Sequence, residues 1–289
     1  MKEFLVCGNK ATFPDLLFLV LSLKESQDDP ITLTLVSGDF SSFDERYHSY
    51  TFEQQNFLEQ LLQKKNPSSH LRFCDLSEKA LKDFPYLKKA NRRYTPYAYL
   101  RLYADTLYEG DEPVLYLDTD TVVMKDLSPL FQTELKEKDL GIVVDPVGSR
   151  YYGNTYGNSG VLLLNPQQIR QDGSFEKCRS LIAGKRQGYS DQNAINLYCS
   201  KAYLPEKYNE QTSLKEDTII RHYPRFFHDG IGNVTKAINV VFSEKPALFQ
   251  KRVHPFLETC RSLLFAREKG HAEIDVGPFK SAIMMVIRQ

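Results

Sequence analysis

The sequence carries no surplus of charge: 37 Lys and Arg stand against 37 Asp and Glu in 289 residues. A chain built to hold a polyanion is basic overall, so nucleic acid is excluded as its general partner. Paired cysteines are missing too. Cys7, Cys74, Cys178, Cys199 and Cys260 are odd in number and form no Cys-x-x-Cys, which excludes a full disulfide framework and reads as free thiols in a reducing compartment. No apolar run is long enough to cross a bilayer. Leu16 to Leu23 is too short and follows Asp15, and the N-terminus MKEFLVCGNK has no signal-peptide pattern. Internal repeats and low-complexity tracts are absent as well. These absences predict a soluble cytoplasmic protein. It is long enough for one large α/β domain, or for a domain with a small lobe.

What is present centres on Val114 to Val123, VLYLDTDTVV. Its apolar start fits a strand buried on both faces. Asp118 and Asp120 follow, separated by Thr119. In an extended chain, residues i and i+2 share a side, so both carboxylates face one point. Like charges that close need a proton or a cation between them. Oxygen ligands suit Mg²⁺ or Mn²⁺, which complete their shells with substrate phosphates. The bland alternative for Asp-x-Asp is a solvated turn or a helix cap.

Around this stretch the chain alternates strand and helix. FLVC at 4–7, ITLTLV at 31–36 and Leu71–Asp75 read as strands, and Leu16–Leu23 and Phe52–Lys64 as helices. That rhythm predicts a parallel sheet with right-handed crossovers. YTPYAYLRLYADTLY at 94–108 reads as one helix entered at Pro96, with Arg101 off its apolar stripe: a surface arginine or a partner for a phosphate or carboxylate. LGIVV at 140–144 is a strand ending at Asp145. YYGNTYGNSGVLLLN at 151–165 sets small residues before an apolar run, a Gly-rich turn or a close approach to a ligand, with Asn158 suited to sugar hydroxyls. Ser190 caps a helix with Asp191 and Gln192 in its first turn. TIIRH at 218–222 is a late strand ending on His222, a structural histidine or a metal ligand. From Lys245 to Gln289, eight Lys and Arg face four Asp and Glu. This basic, amphipathic end either packs on the domain with a solvated face or touches an anionic membrane surface.

Taken together, YLRLY at 99–103, VLYLDTDTVVMKDLSPLF at 114–131, GNSGVLLLN at 157–165 and SDQNAIN at 190–196 resemble the family 8 retaining glycosyltransferases, the bacterial galactosyl- and glucosyltransferases related to glycogenin. The resemblance spans roughly Phe4 to His222. It implies an α/β fold of the GT-A type, a mainly parallel central sheet flanked by helices, over residues 1–242, with a small C-terminal helical extension at 243–289. It implies hexose transfer from a nucleotide-diphosphate-sugar, UDP-glucose or UDP-galactose, to a glycan, glycolipid or glycoprotein acceptor, at most peripherally at the inner face of the membrane. Asp118, Asp120 and His222 match the metal ligands. Arg101, Asp145, Asn158, Ser159, Gly160, Asp191 and Gln192 fall where the family holds the donor sugar, with Gln192 at the reacting face supported by Asp191. Thr119 lies within the metal motif, and Cys7, Gly8 and Asn9 fall in the base-binding loop, Asn9 standing where the family often has Asp. The family's late His-aromatic-x-Gly-x-x-Lys-Pro-Trp is replaced by HYPRFFHDG at 222–230 in a chain without tryptophan, which leaves Arg225 or Lys236 as the substitute cation. Two other functions fit paired carboxylates: a metal-dependent nucleotidyltransferase and a catalytically silent nucleotide-sugar-binding protein.

Overall fold

The computed structural model describes residues 1–84, 95–184, 189–212 and 215–223. The expected extension at 243–289, Arg225, Lys236 and Cys260 lie outside the described residues. The strands are β1 (Lys2–Cys7), β2 (Ile31–Ser37), β3 (His70–Asp75), β4 (Val114–Leu117), β5 (Thr121–Val123), β6 (Leu140–Val144), β7 (Gly157–Leu164), β8 (Lys201–Tyr203) and β9 (Ile220–His222). Seven of them form one sheet in the order β3-β2-β1-β4-β7-β6-β8, and β5 and β9 form a separate pair. Neighbours β3, β2, β1 and β4 run parallel, as do β6 and β8, while β7 is antiparallel to β4 and β6. The mainly parallel α/β architecture is as expected; the reversed β7 is not visible in the sequence.

Burial on both faces explains the unbroken apolar runs. Along β1, Phe4 and Val6 join one core with Leu16, Leu19, Val20 and Leu23 of the helix Phe13–Ser26, while Leu5 and Cys7 join a second core on the opposite face. Each fully buried Leu, Val or Phe contributes about 1.5–3 kcal/mol, so cutting Leu19 back to Ala costs about 2–5 kcal/mol. The helix starts with Pro in its first turn, where its missing N–H costs nothing.

The segment read as one helix over 94–108 is broken. Helical turns at Tyr97–Leu100 and Ala104–Leu107 flank a 3₁₀ turn at Arg101–Tyr103. The Arg101 Nε donates to the Ala98 carbonyl at 2.8 Å, so a guanidinium takes an oxygen that the next helical turn would use. The four described cysteines, Cys7, Cys74, Cys178 and Cys199, are free thiols. Among the described residues no helix is long and apolar enough to cross a membrane.

Candidate functional site

The site lies where β1, β4 and β6 end and β7 begins. β4 stops at Leu117, and Asp118 to Thr121 form a tight turn closed by Thr121 N–H to the Asp118 carbonyl at 3.2 Å. The two carboxylates therefore converge through a turn and not, as alternation along a strand suggests, on one face of extended chain. The third group comes from far along the sequence. β9 pairs antiparallel with β5, opposing His222 to Thr121. His222 Nε2 then sits 3.3 Å from Asp120 Oδ1 and 3.9 Å from Asp118 Oδ2. One ligand atom from each of the three residues lies within 4.8 Å of the others.

The imidazole is 2 % exposed, and its Nδ1 bonds to Asn209 Oδ1 at 2.9 Å. Nε2 is buried without a hydrogen-bond partner. A buried ring nitrogen facing two carboxylates is a place where a divalent cation can complete the group. The donor set, one imidazole and two carboxylates, fits Mn²⁺ or Mg²⁺, which complete their shells with substrate oxygens.

Asp118 is tied in further. Burial lifts its carboxyl above the ordinary range; Arg101 opposes the lift and Asp120 adds to it. Arg101 Nη2 donates to Asp118 Oδ1 at 2.9 Å and the Tyr116 hydroxyl to the same oxygen at 2.5 Å. Tyr116 stands two residues before Asp118 on the strand, a same-face signal that sequence reading did not use. Arg101 itself is 4 % exposed, so the surface-arginine alternative is wrong. Its guanidinium stacks 4.3 Å from the centre of the Tyr116 ring and pairs with Asp191 Oδ2 at 3.3 Å.

Beside this centre stands a wall built on a register shift. β6 opposes Ile142 to Leu162 but Val143 to Asn158, so Ser159, Gly160 and Val161 fall out of its ladder. Bulges of this kind re-aim groups near functional sites, and here side chains of the site take up the released backbone. Ser159 N–H donates to Gln192 Oε1 at 3.1 Å, the Ser159 carbonyl accepts from Arg101 Nη1 at 2.6 Å, and Gly160 N–H donates to Asn158 Oδ1 at 3.0 Å. Asn158, Ser159 and Gly160 thus lie inside β7, not in a turn before it. Gln192 and Asp191 open the helix Asp191–Tyr198, capped by the Ser190 hydroxyl. Gln192 Nε2 donates to Asp145 Oδ2 at 3.0 Å, and Ser159 Oγ to Asp191 Oδ2 at 3.2 Å. Burial pushes the Asp145 carboxyl up, but donors from Gly148, Val147, Asn158 and Gln192 outweigh it and hold it below the usual range.

The structure brings together Arg101, Asp118, Asp120, Asp145, Asn158, Ser159, Gly160, Asp191, Gln192 and His222, with Thr119 in the turn between the carboxylates. The first loop is built differently. Cys7 is buried at the end of β1, where burial raises its thiol pKa far above the ordinary value. Gly8 packs so closely that a Cβ there meets the Tyr50 hydroxyl at 2.3 Å. Asn9 ties the loop together, Oδ1 accepting from Thr12 N–H at 3.2 Å and Nδ2 donating to the Arg46 carbonyl at 3.0 Å.

Residues 20–229 match the family description Glycosyl transferase family 8. The chain belongs to this family. The match includes the carboxylate pair, the β7 bulge, the Asp191–Gln192 turn and His222, and leaves Cys7 to Asn9 outside. Among family relatives, glycosyltransferase GlyF of Streptococcus pneumoniae is 32% identical over 110 residues, 37% of this chain and 27% of that protein. A lipopolysaccharide 1,2-glucosyltransferase of Escherichia coli is 28% identical over 137 residues, 41% of this chain and 40% of that protein. The matched regions cover less than half the length of these relatives. Of solved structures, galactosyltransferase LgtC in complex with donor and acceptor sugar analogues superposes with a TM-score of 0.58 at 19% identity, covering 76% of this chain and 86% of that one. GlyE of Streptococcus pneumoniae gives 0.59 at 20% identity, covering 77% and 55%. At these identities the superpositions show the fold, a GT-A-like sheet.

Proposed function

We propose that this chain is a metal-dependent retaining glycosyltransferase that moves a hexose from a nucleotide-diphosphate-sugar to a saccharide, lipid-linked or protein acceptor. The observation that carries it is the convergence of Asp118, Asp120 and the unpartnered Nε2 of His222 beside a rigid polar wall of Arg101, Asp191, Gln192 and Asp145. Family membership supports the donor class, and the relatives named for glycosyl transfer support the reaction.

Asp118, Asp120 and His222 would hold Mn²⁺ or Mg²⁺, which when bound offsets the charge that builds on a leaving diphosphate. The protein supplies position. The wall is set before any sugar arrives, because each of its polar groups already has a fixed partner, and preorganised dipoles need no rearrangement during reaction. Asp145 and Asp191 put negative charge near a sugar carbon that becomes positive, as in other oxocarbenium-like transition states. Gln192 is an amide, a poor nucleophile, and its oxygen is held by Ser159, which favours attack from the face the diphosphate leaves. Residues 1–242 form the catalytic unit in this reading and 243–289 the acceptor- or membrane-contacting piece.

The test is a panel of nucleotide-sugars with and without Mn²⁺. Selective binding raises the melting temperature by mass action, and turnover releases nucleoside diphosphate. Pyrophosphate released from a nucleoside triphosphate would assign nucleotidyl transfer instead. Binding with no turnover, donor hydrolysis included, would assign a silent binder.

A further inference from the structure

His222 can ligate a cation through Nε2 only if its proton sits on Nδ1. The hydrogen bonds around it decide that question without reference to any metal. Their logic starts from a group that has no choice. Gly160 N–H is a backbone donor, and it donates to Asn158 Oδ1 at 3.0 Å. The Asn158 amide is therefore oriented, with Nδ2 toward Asp145 Oδ2 at 3.3 Å. A carboxylate only accepts, so this far end agrees. Asn158 Oδ1 also receives Asn209 Nδ2 at 3.0 Å, which orients the Asn209 amide in turn. Asn209 Oδ1 then faces His222 Nδ1 at 2.9 Å. An amide oxygen cannot donate, so Nδ1 carries a proton.

We propose that Asn209 is a positioning residue for the metal site, fixing His222 in the Nδ1–H tautomer with its Nε2 lone pair aimed at Asp118 and Asp120, and that Asn158 extends this control to Asp145 on the donor-sugar wall. Asn209 is 0 % exposed and His222 2 %, so no bulk water competes for these bonds. Every dipole in the chain His222–Asn209–Asn158–Asp145 runs the same way, donor to acceptor, toward the carboxylate. Bonds aligned in series polarise one another, and a hydrogen-bonded Nδ1–H makes the opposite nitrogen a better ligand. Asn209 lies in LPEKYNE, thirteen residues before His222, with no local pattern that marks it. The inference rests on the metal-site reading above, and its experiment separates the two.

The test uses the full chain labelled with ¹⁵N. Long-range ¹H–¹⁵N correlation reports each histidine's tautomer without metal, and comparison with His222→Ala assigns the signal. Mn²⁺ affinity is read separately by electron paramagnetic resonance of free Mn²⁺. The parent protein is expected to show His222 as Nδ1–H. Asn209→Ala removes the acceptor, mixes the tautomers and raises the Mn²⁺ Kd about 10- to 100-fold, the usual scale for losing such a support. Asn209→Asp keeps an acceptor for Nδ1–H but loses the donor to Asn158. It is expected to melt lower than the parent yet hold the tautomer and bind Mn²⁺ within about threefold of it. An Nε2–H tautomer in the parent overturns the inference. So does a loss of Mn²⁺ affinity that is equal in the two variants and tracks their melting temperatures, since that is what a purely structural role produces. A parent that binds Mn²⁺, with Asn209→Ala binding it equally well, overturns this inference and leaves the metal site standing. A parent that binds no Mn²⁺ overturns both.

Discussion

Replacing Gly160 by alanine tests the assembly of the site at one atom. Gly160 lies in β7 without a positive φ, so alanine meets no backbone penalty, and the stiffer unfolded chain even favours folding by about 0.4–1 kcal/mol. The obstacle is the imidazole. A Cβ on Gly160 falls 2.1 Å from His222 Cε1, 2.7 Å from Nε2 and 2.8 Å from Nδ1. Contacts that short do not persist, so the ring or the strand must shift. The strand is pinned by Asp118 N–H to the Gly160 carbonyl at 2.8 Å, which leaves the ring to move. Overpacking of this kind costs about 1–3 kcal/mol, partly offset by the backbone gain, so the variant should stay folded with a melting temperature a few degrees lower. The larger effect falls on the cation. A displaced His222 loses its bond to Asn209 and its aim at the carboxylates, and Mn²⁺ affinity should drop by at least the roughly 10- to 100-fold expected when a ligand loses its support. Combining Gly160→Ala with His222→Ala should recover stability relative to Gly160→Ala, because the clash partner is gone; the double-mutant cycle measures that coupling. Parent-like Mn²⁺ affinity in Gly160→Ala would refute the placement of His222 against β7.

Three further outcomes follow from the same geometry. Arg101→Met leaves Asp118 and Asp191 without the cation between them and should cost about 3–5 kcal/mol in urea unfolding; a loss under 1 kcal/mol would mean the pair is solvated. Gln192→Ala should lower turnover about 10- to 1000-fold, the scale for one preorganised dipole, with Mn²⁺ affinity unchanged; full activity would remove Gln192 from the reaction. Asp15 is buried with one carboxyl oxygen unpartnered, and burial, with a smaller contribution from Asp120, raises its pKa from 3.8 to about 8. Its folded state holds the proton more tightly, so its stabilisation is complete below about pH 4 and is lost as pH rises toward 8. At 1.36 kcal/mol per unit this is on the order of 5 kcal/mol at most; Asp15→Asn should flatten stability between pH 5 and 8 in chemical unfolding, and an unchanged slope would contradict the assignment.

Much of this was legible because local signals carried it. VLYL followed by two aspartates announces a buried strand opening on a polar site, and Ser190 before Asp191 announces a helix start. Other parts depend on groups distant in sequence. Arg101 looks like a surface residue until Asp118 and Asp191 are brought to it. β5 and β9 have three residues each, too few for a periodicity, and they exist because they find each other across about a hundred positions. The reversal of β7 follows from the path of the chain, not from its composition, and Asn209 has nothing around it to distinguish it from any turn asparagine. In the first loop, the bond from Asn9 to the Arg46 carbonyl joins segments 37 positions apart, which no local pattern shows.

The late arrival of β9 has a consequence for the protein during its manufacture. The seven-stranded sheet is complete once β8 has emerged at Tyr203, whereas His222 comes nineteen residues afterwards. At roughly 5–20 residues per second, that is about 1–4 s of synthesis. Throughout that interval a nascent chain can hold every strand of the large sheet and both carboxylates, yet lack the imidazole and the late core residues Ile219, Ile220 and Tyr223. Synthesis therefore delivers the sheet first and His222 last, and a product cut off just after β8 has the sheet strands but neither the partner of β5 nor the imidazole beside the two carboxylates.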